Sequence, residues 1–332
     1  MRIAFAGCKT TTFECMREVI ADGHSIELLV TLTPEQGQRA QVAGYMDLRP
    51  FACEHGIEVY HPKCYSLKPD EDRNQLLQRD IGCLLVIGWQ RLIPSWWLDA
   101  LQAGAFGMHG SPEPLPRGRG RSPLNWSLAA GKTSFLTHLF RYDAGIDSGK
   151  ILAAEKFEIN AWDDCESLHF KNRIAMNRLL RQHLSQILDG SAVYQPQPDD
   201  VEPTFFPKRT AEDGRIEWFA MDMIRLHNHV RCQTKPFPGA FSFLEGSNER
   251  FYFWKAAPFD GHMTYPGKLP GTVVERFYDD SFVVAVWDGS VRVTDYTSPN
   301  HAVPEIGQRF FDKPYLCEAK CQAEEAAVGS AT

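Results

Sequence analysis

The chain has no run of eighteen consecutive apolar residues, so no membrane-crossing helix is expected. It also lacks the glycine fingerprint of dinucleotide-binding folds. Gly7 stands alone ahead of Lys9-Thr10-Thr11-Thr12, which argues against a nicotinamide cofactor. No cysteine framework is present: the nine cysteines are an odd number at wide spacing, as expected of reduced thiols in the cytoplasm. Cys317 and Cys321 form a lone CxxxC without partner cysteines or histidines, so no metal is expected. Internal repeats and low-complexity blocks are missing too. The opening MRIAFAGCKT carries a charge at position 2 and only a short apolar run before Lys9, and reads as a first strand, not a signal peptide.

What is present points to an α/β chain in two parts. At 332 residues and 43% apolar content, the protein is long enough for two cores. In the first half, short apolar runs (RIAFAG at 2–7, IELLVTL at 26–32, IEVYH at 57–61, CLLVIG at 83–88, GAFGMH at 104–109) alternate with amphipathic segments such as 12–21. Strands alternating with helices predict a mostly parallel sheet covered on both faces, with ligands beyond the carboxyl ends of its strands. A helix is predicted over 165–188, closing a first domain at 1–189; the proline-rich stretch 190–207 reads as a linker. Beyond it, a short helix (220–230) and alternating strands at 251–256, 271–277, 281–287 and 290–296, with Asp288-Gly289 between the last two, predict a small β-barrel at 208–316. The aromatics of 251–254 read as barrel core, and the tail 317–332 as disordered.

Several apparent motifs fail. Gly131-Lys132-Thr133 resembles the end of a phosphate-binding loop, but Trp126 stands where its first glycine belongs. DAGIDSGK (143–150) resembles a calcium loop whose twelfth position, Ala154, cannot supply a carboxylate. His227 and His229 are two apart on a predicted helix and face different ways.

Two loops survive. Residues 107–126, GMHGSPEPLPRGRGRSPLNW, hold three arginines, four prolines, four glycines and one histidine, and read as neither helix nor strand. YDAGIDSGK places Asp143 and Asp147 in a glycine-rich turn between two strands. A carboxylate beside His109 would fix the tautomer of the imidazole and favour its charged form, as general acid/base chemistry requires.

The segments His109-Gly110-Ser111-Pro112, Leu115-Pro116, Arg119 to Trp126 and Asp143 to Gly149 resemble the formyltransferases that use 10-formyltetrahydrofolate, over nearly the whole chain. Residues 225–243 look most like the second domain of the aminoarabinose-type sugar enzymes. The resemblance implies a Rossmann-like catalytic domain followed by a barrel of oligonucleotide-binding-fold type. It also implies an amine acceptor, tetrahydrofolate as product, and His109 and Asp147 as catalytic residues. By the same resemblance, Trp89, Arg91, Leu92 and Ile93, with Asp143, Gly145 and Ile146, would line the folate site; the alternative for Leu92 and Ile93 is ordinary core.

In the family an asparagine lies two residues before the histidine. Here that residue is Gly107. Either another donor serves, with Gln90, Ser111, Asn125, a backbone amide or a water as candidates, or the protein is a catalytically impaired folate- or nucleotide-binding homologue. For the acceptor, residues 205–316 hold 13 Lys or Arg against 14 Asp or Glu, which disfavours nucleic acid and methionyl-tRNA. Ser111, Pro112, Arg117, Arg119 and Arg121 are candidate contacts to a nucleotide-linked amino sugar, since guanidinium forks match phosphate oxygens. The alternative for the arginines is structural pairing. Hydroxyornithine is a further acceptor kept open, and a homodimer is compatible with this reading. If another group replaces the asparagine, Gly107→Asn brings no gain in formyl transfer; a rise of roughly 10-fold or more would indicate an impaired site.

Overall fold

A computed structural model describes residues 1–314. The expected disordered tail, 317–332, lies outside the described residues, as do Cys317 and Cys321. The chain forms two compact units. The first comprises Met1–Pro123, Ser134–Glu158 and His169–Pro207; the second comprises Leu124–Thr133, Ile159–Leu168 and the chain from Lys208.

The first unit is built on β1 (Ile3–Ala6), β2 (Leu28–Val30), β3 (Glu58–Tyr60), β4 (Cys83–Val86), β5 (Gly104–Ser111), β6 (Arg119–Gly120), β7 (Ser134–Arg141), β8 (Ile151–Glu158) and β9 (Phe205–Phe206). Its helices are α1 (Thr10–Ala21), α2 (Pro34–Arg39), α3 (Arg49–Glu54), α4 (Asp70–Leu77), α5 (Ser95–Ala100) and most of α7 (Cys165–Asp189); α6 (Pro123–Ala129) lies almost wholly in the second unit. Seven strands run in the order β3-β2-β1-β4-β5-β7-β8. The first five are parallel, while β7 runs antiparallel to both β5 and β8.

Period-two alternation divides the strand residues between two cores. Ile3, Phe5, Leu29, Leu85 and Phe106 pack with Met16, Val19, Leu180 and Leu184 on one side. Ala4, Ala6, Leu28, Val30, Leu84 and Ala105 pack with Trp97 on the other. Helix α1 buries Thr12, Cys15, Met16 and Val19, the i, i+3, i+4, i+7 stripe of a helix with one face on a sheet.

Strand β5 overshoots its neighbour. Its pairing with β4 ends at Gly107, opposite Val86, whereas its pairing with β7 continues through His109, opposite His138, to Ser111, opposite Leu136. His109 therefore lies beyond the carboxyl end of β4. The stretch 107–126 thus differs from its reading as neither helix nor strand: β5 runs on to Ser111, β6 occupies 119–120, and α6 begins at Pro123. Partner carbonyls and amides on β7 reward strand geometry despite the glycines. Residues 190–207, read as a linker, carry β9, which pairs with β6, and Gln195, which bridges Ile151.

The second unit contains α8 (Met223–Arg231) and β10 (Ala240–Leu244), β11 (Phe251–Asp260), β12 (Val273–Arg276), β13 (Phe282–Val286), β14 (Gly289–Thr297) and β15 (Phe310–Phe311), in the order β12-β13-β14-β11-β10-β15. The two edges meet, for Val273 N–H donates to Gln308 O and Phe310 N–H to Gly271 O, closing the sheet into a small barrel. Inside are Trp218, Phe251, Phe253, Phe282 and Phe310. Only half of the aromatic run 251–254 is core: Tyr252 and Trp254 stack on each other at 5.7 Å on the alternate face. Segments from earlier in the chain join this unit through buried polar contacts. Asn125 Nδ2 donates to Cys232 O at 2.5 Å, and Arg231 Nη1 donates to Asn160 O and Asp163 O at 2.7 and 3.0 Å.

Phe106 is fully buried in the strand that carries His109. Phe106→Ala should cost roughly 3–5 kcal/mol, seen as a lower midpoint in urea denaturation.

Candidate active site

His109 and Asp147 meet in the first unit. The imidazole, 8% exposed, directs Nε2 at Gly118 O at 2.8 Å, and its Nδ1 lies 3.4 Å from Asp147 Oδ2. The second distance is that of an ion pair, longer than a normal N–H···O hydrogen bond. An imidazole that gives its Nε2 proton to Gly118 keeps a lone pair on Nδ1, on the side of the carboxylate. Beneath it, the directly opposed His138 is Nδ1-bonded to His109 O at 3.2 Å.

Asp147 is held in place by its neighbours. Its backbone is left-handed, at φ 49, a conformation that costs a non-glycine residue energy and persists only when surroundings over-determine it. Those surroundings are visible. Gly120 N–H donates to Asp147 Oδ2 at 3.0 Å, and Gln197 Nε2 donates to Asp147 O and Gly149 O at 2.7 and 3.0 Å. Gln197 is itself fixed by Arg119 Nη2, at 2.6 Å from its Oε1. Within the turn, Asp143 Oδ1 accepts from Gly145 N–H at 2.9 Å and Ser148 Oγ at 2.6 Å, an Asx-type lock. Gly149 must be glycine, because a Cβ there would lie 1.7 Å from Arg141 O.

A cavity of about 550 Å³ opens beside this turn, lined by Arg119, Arg141, Tyr142, Asp143, Ser148 and Lys150 among others. Arg119 Nε is buried without a hydrogen-bond partner, while Nη2 of the same guanidinium is held by Gln197 Oε1.

The formyl transferase family model matches residues 3–184, and the formyl transferase C-terminal domain model matches 208–306. The chain belongs to the formyl transferase family. Among solved structures, this formyltransferase resembles a sugar 3N-formyltransferase, WlaRD, determined with dTDP and 5-N-formyl-THF (16% identity, TM-score 0.61, covering 90% of this chain and 98% of that one). It likewise resembles an N-formyltransferase from Helicobacter canadensis in complex with folinic acid and dTDP-3-aminofucose (15% identity, TM-score 0.63, 90% and 100% covered). HypX from Aquifex aeolicus with tetrahydrofolic acid matches at 18% identity and TM-score 0.59, over 89% of this chain and 44% of that one. At these identities the likeness speaks to the fold.

In this formyltransferase the other expected site residues are spread more widely. Trp89 is buried against Tyr65 at 4.5 Å, with its indole Nε1 unpartnered. Gln90 N–H donates to Tyr65 Oη at 2.9 Å, and the Arg91 guanidinium lies 4.6 Å from the Tyr65 ring centre. Ile93 is core at 4% exposure, whereas Leu92 and Ile146 are apolar side chains left 53% and 51% exposed. Ser111 Oγ is committed to Arg117 O at 2.7 Å, and Arg117 to Glu113 at 3.2 Å. Asn125 donates to Cys232 O within the second unit, and Arg121 is exposed while Pro112 is half-buried. Gln197, Arg141, Lys150 and Tyr142 escaped sequence reasoning. The first lies in an aperiodic segment, and the other three flank a turn whose aspartates drew attention instead.

Burial holds the His138 imidazole down at about 4, against an unfolded value near 6.5. The folded state thus binds fewer protons in that window, so stability is fully present above about pH 6.5 and is lost as the pH falls toward 4. His169 and His229, also held down at about 4 by burial, add to the same trend. His138→Asn keeps a donor near the Nδ1 position. It should lose less Tm than the parent between pH 7 and pH 4.5; an equal loss would show that His138 is not among the groups responsible.

Proposed function

We propose that this formyltransferase moves a formyl group from 10-formyltetrahydrofolate to the amine of a small acceptor, a nucleotide-linked amino sugar. The observation that carries the reading is His109 Nδ1 at 3.4 Å from a carboxylate whose turn is over-determined and lies beside a cavity lined by Arg119, Arg141 and Lys150. The donor supplies an electrophilic formyl carbon on N10. The acceptor nitrogen bonds to that carbon as the carbonyl electron pair moves to oxygen, and the C–N10 bond then breaks, giving a formamide and tetrahydrofolate. One proton leaves the acceptor nitrogen and one reaches N10. His109 Nδ1, with Gly118 O holding the Nε2 proton, receives the first and returns it to the leaving nitrogen. Asp147 stabilises the imidazolium between the two transfers.

The residues present fit a folate. Leu92 and Ile146 offer exposed apolar side chains to a flat ring, and Trp89 Nε1 offers an unused buried donor. Toward the acceptor, Arg119, Arg141 and Lys150 line the cavity against Asp143 and Asp199, a balance suited to a diphosphate. Sugar formyltransferases of similar fold bind dTDP or a dTDP-amino sugar, which supports that acceptor class.

The test is incubation with 10-formyltetrahydrofolate and a panel of nucleotide-linked amino sugars, hydroxyornithine and methionyl-tRNA. His109→Ala should lower kcat by about 10² or more with the fold intact, and Asp147→Asn comparably. Near-normal turnover in both variants would refute the assignment.

A further inference from the structure

The position that departs from the family is Gly107, and the space above it is filled. A Cβ on Gly107 would lie 2.2 Å from Tyr142 Cε2, 3.0 Å from Cζ and 2.9 Å from the hydroxyl oxygen. The phenol edge thus occupies the volume into which a side chain at position 107 would project. Positions 107 and 109 of a strand share one face and are separated by about 7 Å, so the ring stands on the His109 face of β5. Tyr142 is also preorganised. Its N–H donates to Ala105 O at 2.8 Å, and its ring stacks on Phe140 at 5.1 Å and 17°. It packs against the core cluster that contains Val86, Trp89 and Ile93, and it borders the cavity with Arg119 and Asp143.

Resting on the function proposed above, we propose that Tyr142 is a catalytic residue, its hydroxyl donating a hydrogen bond to the formyl oxygen as that oxygen gains charge. A rigid donor aimed where charge develops is worth far more than one that must reorient. Burial, and then the nearby Asp147 charge, push the phenol upward from its usual value, so Tyr142 keeps its proton across the working pH range. Two of the sequence-derived alternatives are spent elsewhere: Ser111 Oγ on Arg117 O and Asn125 Nδ2 on Cys232 O.

Tyr142→Phe retains the ring, its stacking and its packing, and removes only the hydroxyl. Formyl transfer should fall by about 10²–10³, with Tm unchanged and the affinity for a non-reactive 10-formyl folate analogue within a few-fold of the parent. A readout without turnover is the infrared stretch of that analogue carrying a ¹³C formyl group. The band should lie lower in the parent than in Tyr142→Phe, as a hydrogen bond to the oxygen weakens the C=O bond. Sterics give a third readout: Gly107→Asn should lower Tm, and Gly107→Asn with Tyr142→Ala should recover it. Normal turnover and an unshifted band in Tyr142→Phe, with His109→Ala inactive, would overturn the role of Tyr142 alone. If His109→Ala were also fully active, the proposed function itself would fall.

Discussion

The antiparallel pairing of β5 with β7 sets the geometry on which the rest of the site depends. Because β5 continues four residues past its last partner on β4, its backbone polar groups beyond Gly107 on one side have β7 as their protein partner. That overshoot carries His109 into the space past the carboxyl ends of the parallel strands, where an open α/β sheet leaves a crevice. The same ladder ends at Arg141, opposite Phe106, and Tyr142 N–H bonds Ala105 O, so the Tyr142 ring leans back over Gly107 while the turn that follows brings Asp147 to His109. Register does this without any special contact, since a slip of one residue would turn every side chain to the other face.

Around this frame, polar side chains fix a turn that would otherwise relax. Asp147 sits in a left-handed conformation and aims its carboxylate at an imidazole, and the strain is met by Gly120, Gln197 and, behind Gln197, Arg119. Arg119 and Gly120 are consecutive residues of β6, whose pairing with Phe205 and Phe206 holds both. The turn that carries Asp147 and the arginine-lined cavity therefore share one support, which holds Asp147 against His109.

Much of this was legible in the sequence because apolar runs separated by amphipathic segments encode a parallel sheet directly. The Asp288-Gly289 hairpin likewise announced the barrel. The histidine and the two aspartates were legible as residue types, although nothing in a single sequence states that loops some forty residues apart meet. Strand β10 was missed because its five residues, Ala240–Leu244, follow directly on Pro236, Pro238 and Gly239, which read as loop. Gln197 was missed because buried side-chain amides that bind backbone carbonyls leave no periodic trace. Tyr142 was missed for a different reason: its importance lies in the absence of a side chain at position 107, a relation between strands that only the register makes visible.

The overlap at 2.2 Å between a Cβ at position 107 and the Tyr142 ring also constrains ancestry. An asparagine at 107 and the tyrosine ring where it now stands claim the same volume, so a chain holding both carries the cost of displacing one of them. Glycine at 107 removes that cost. Positions 107 and 142 should accordingly covary among relatives, with the doubly occupied pairing rare.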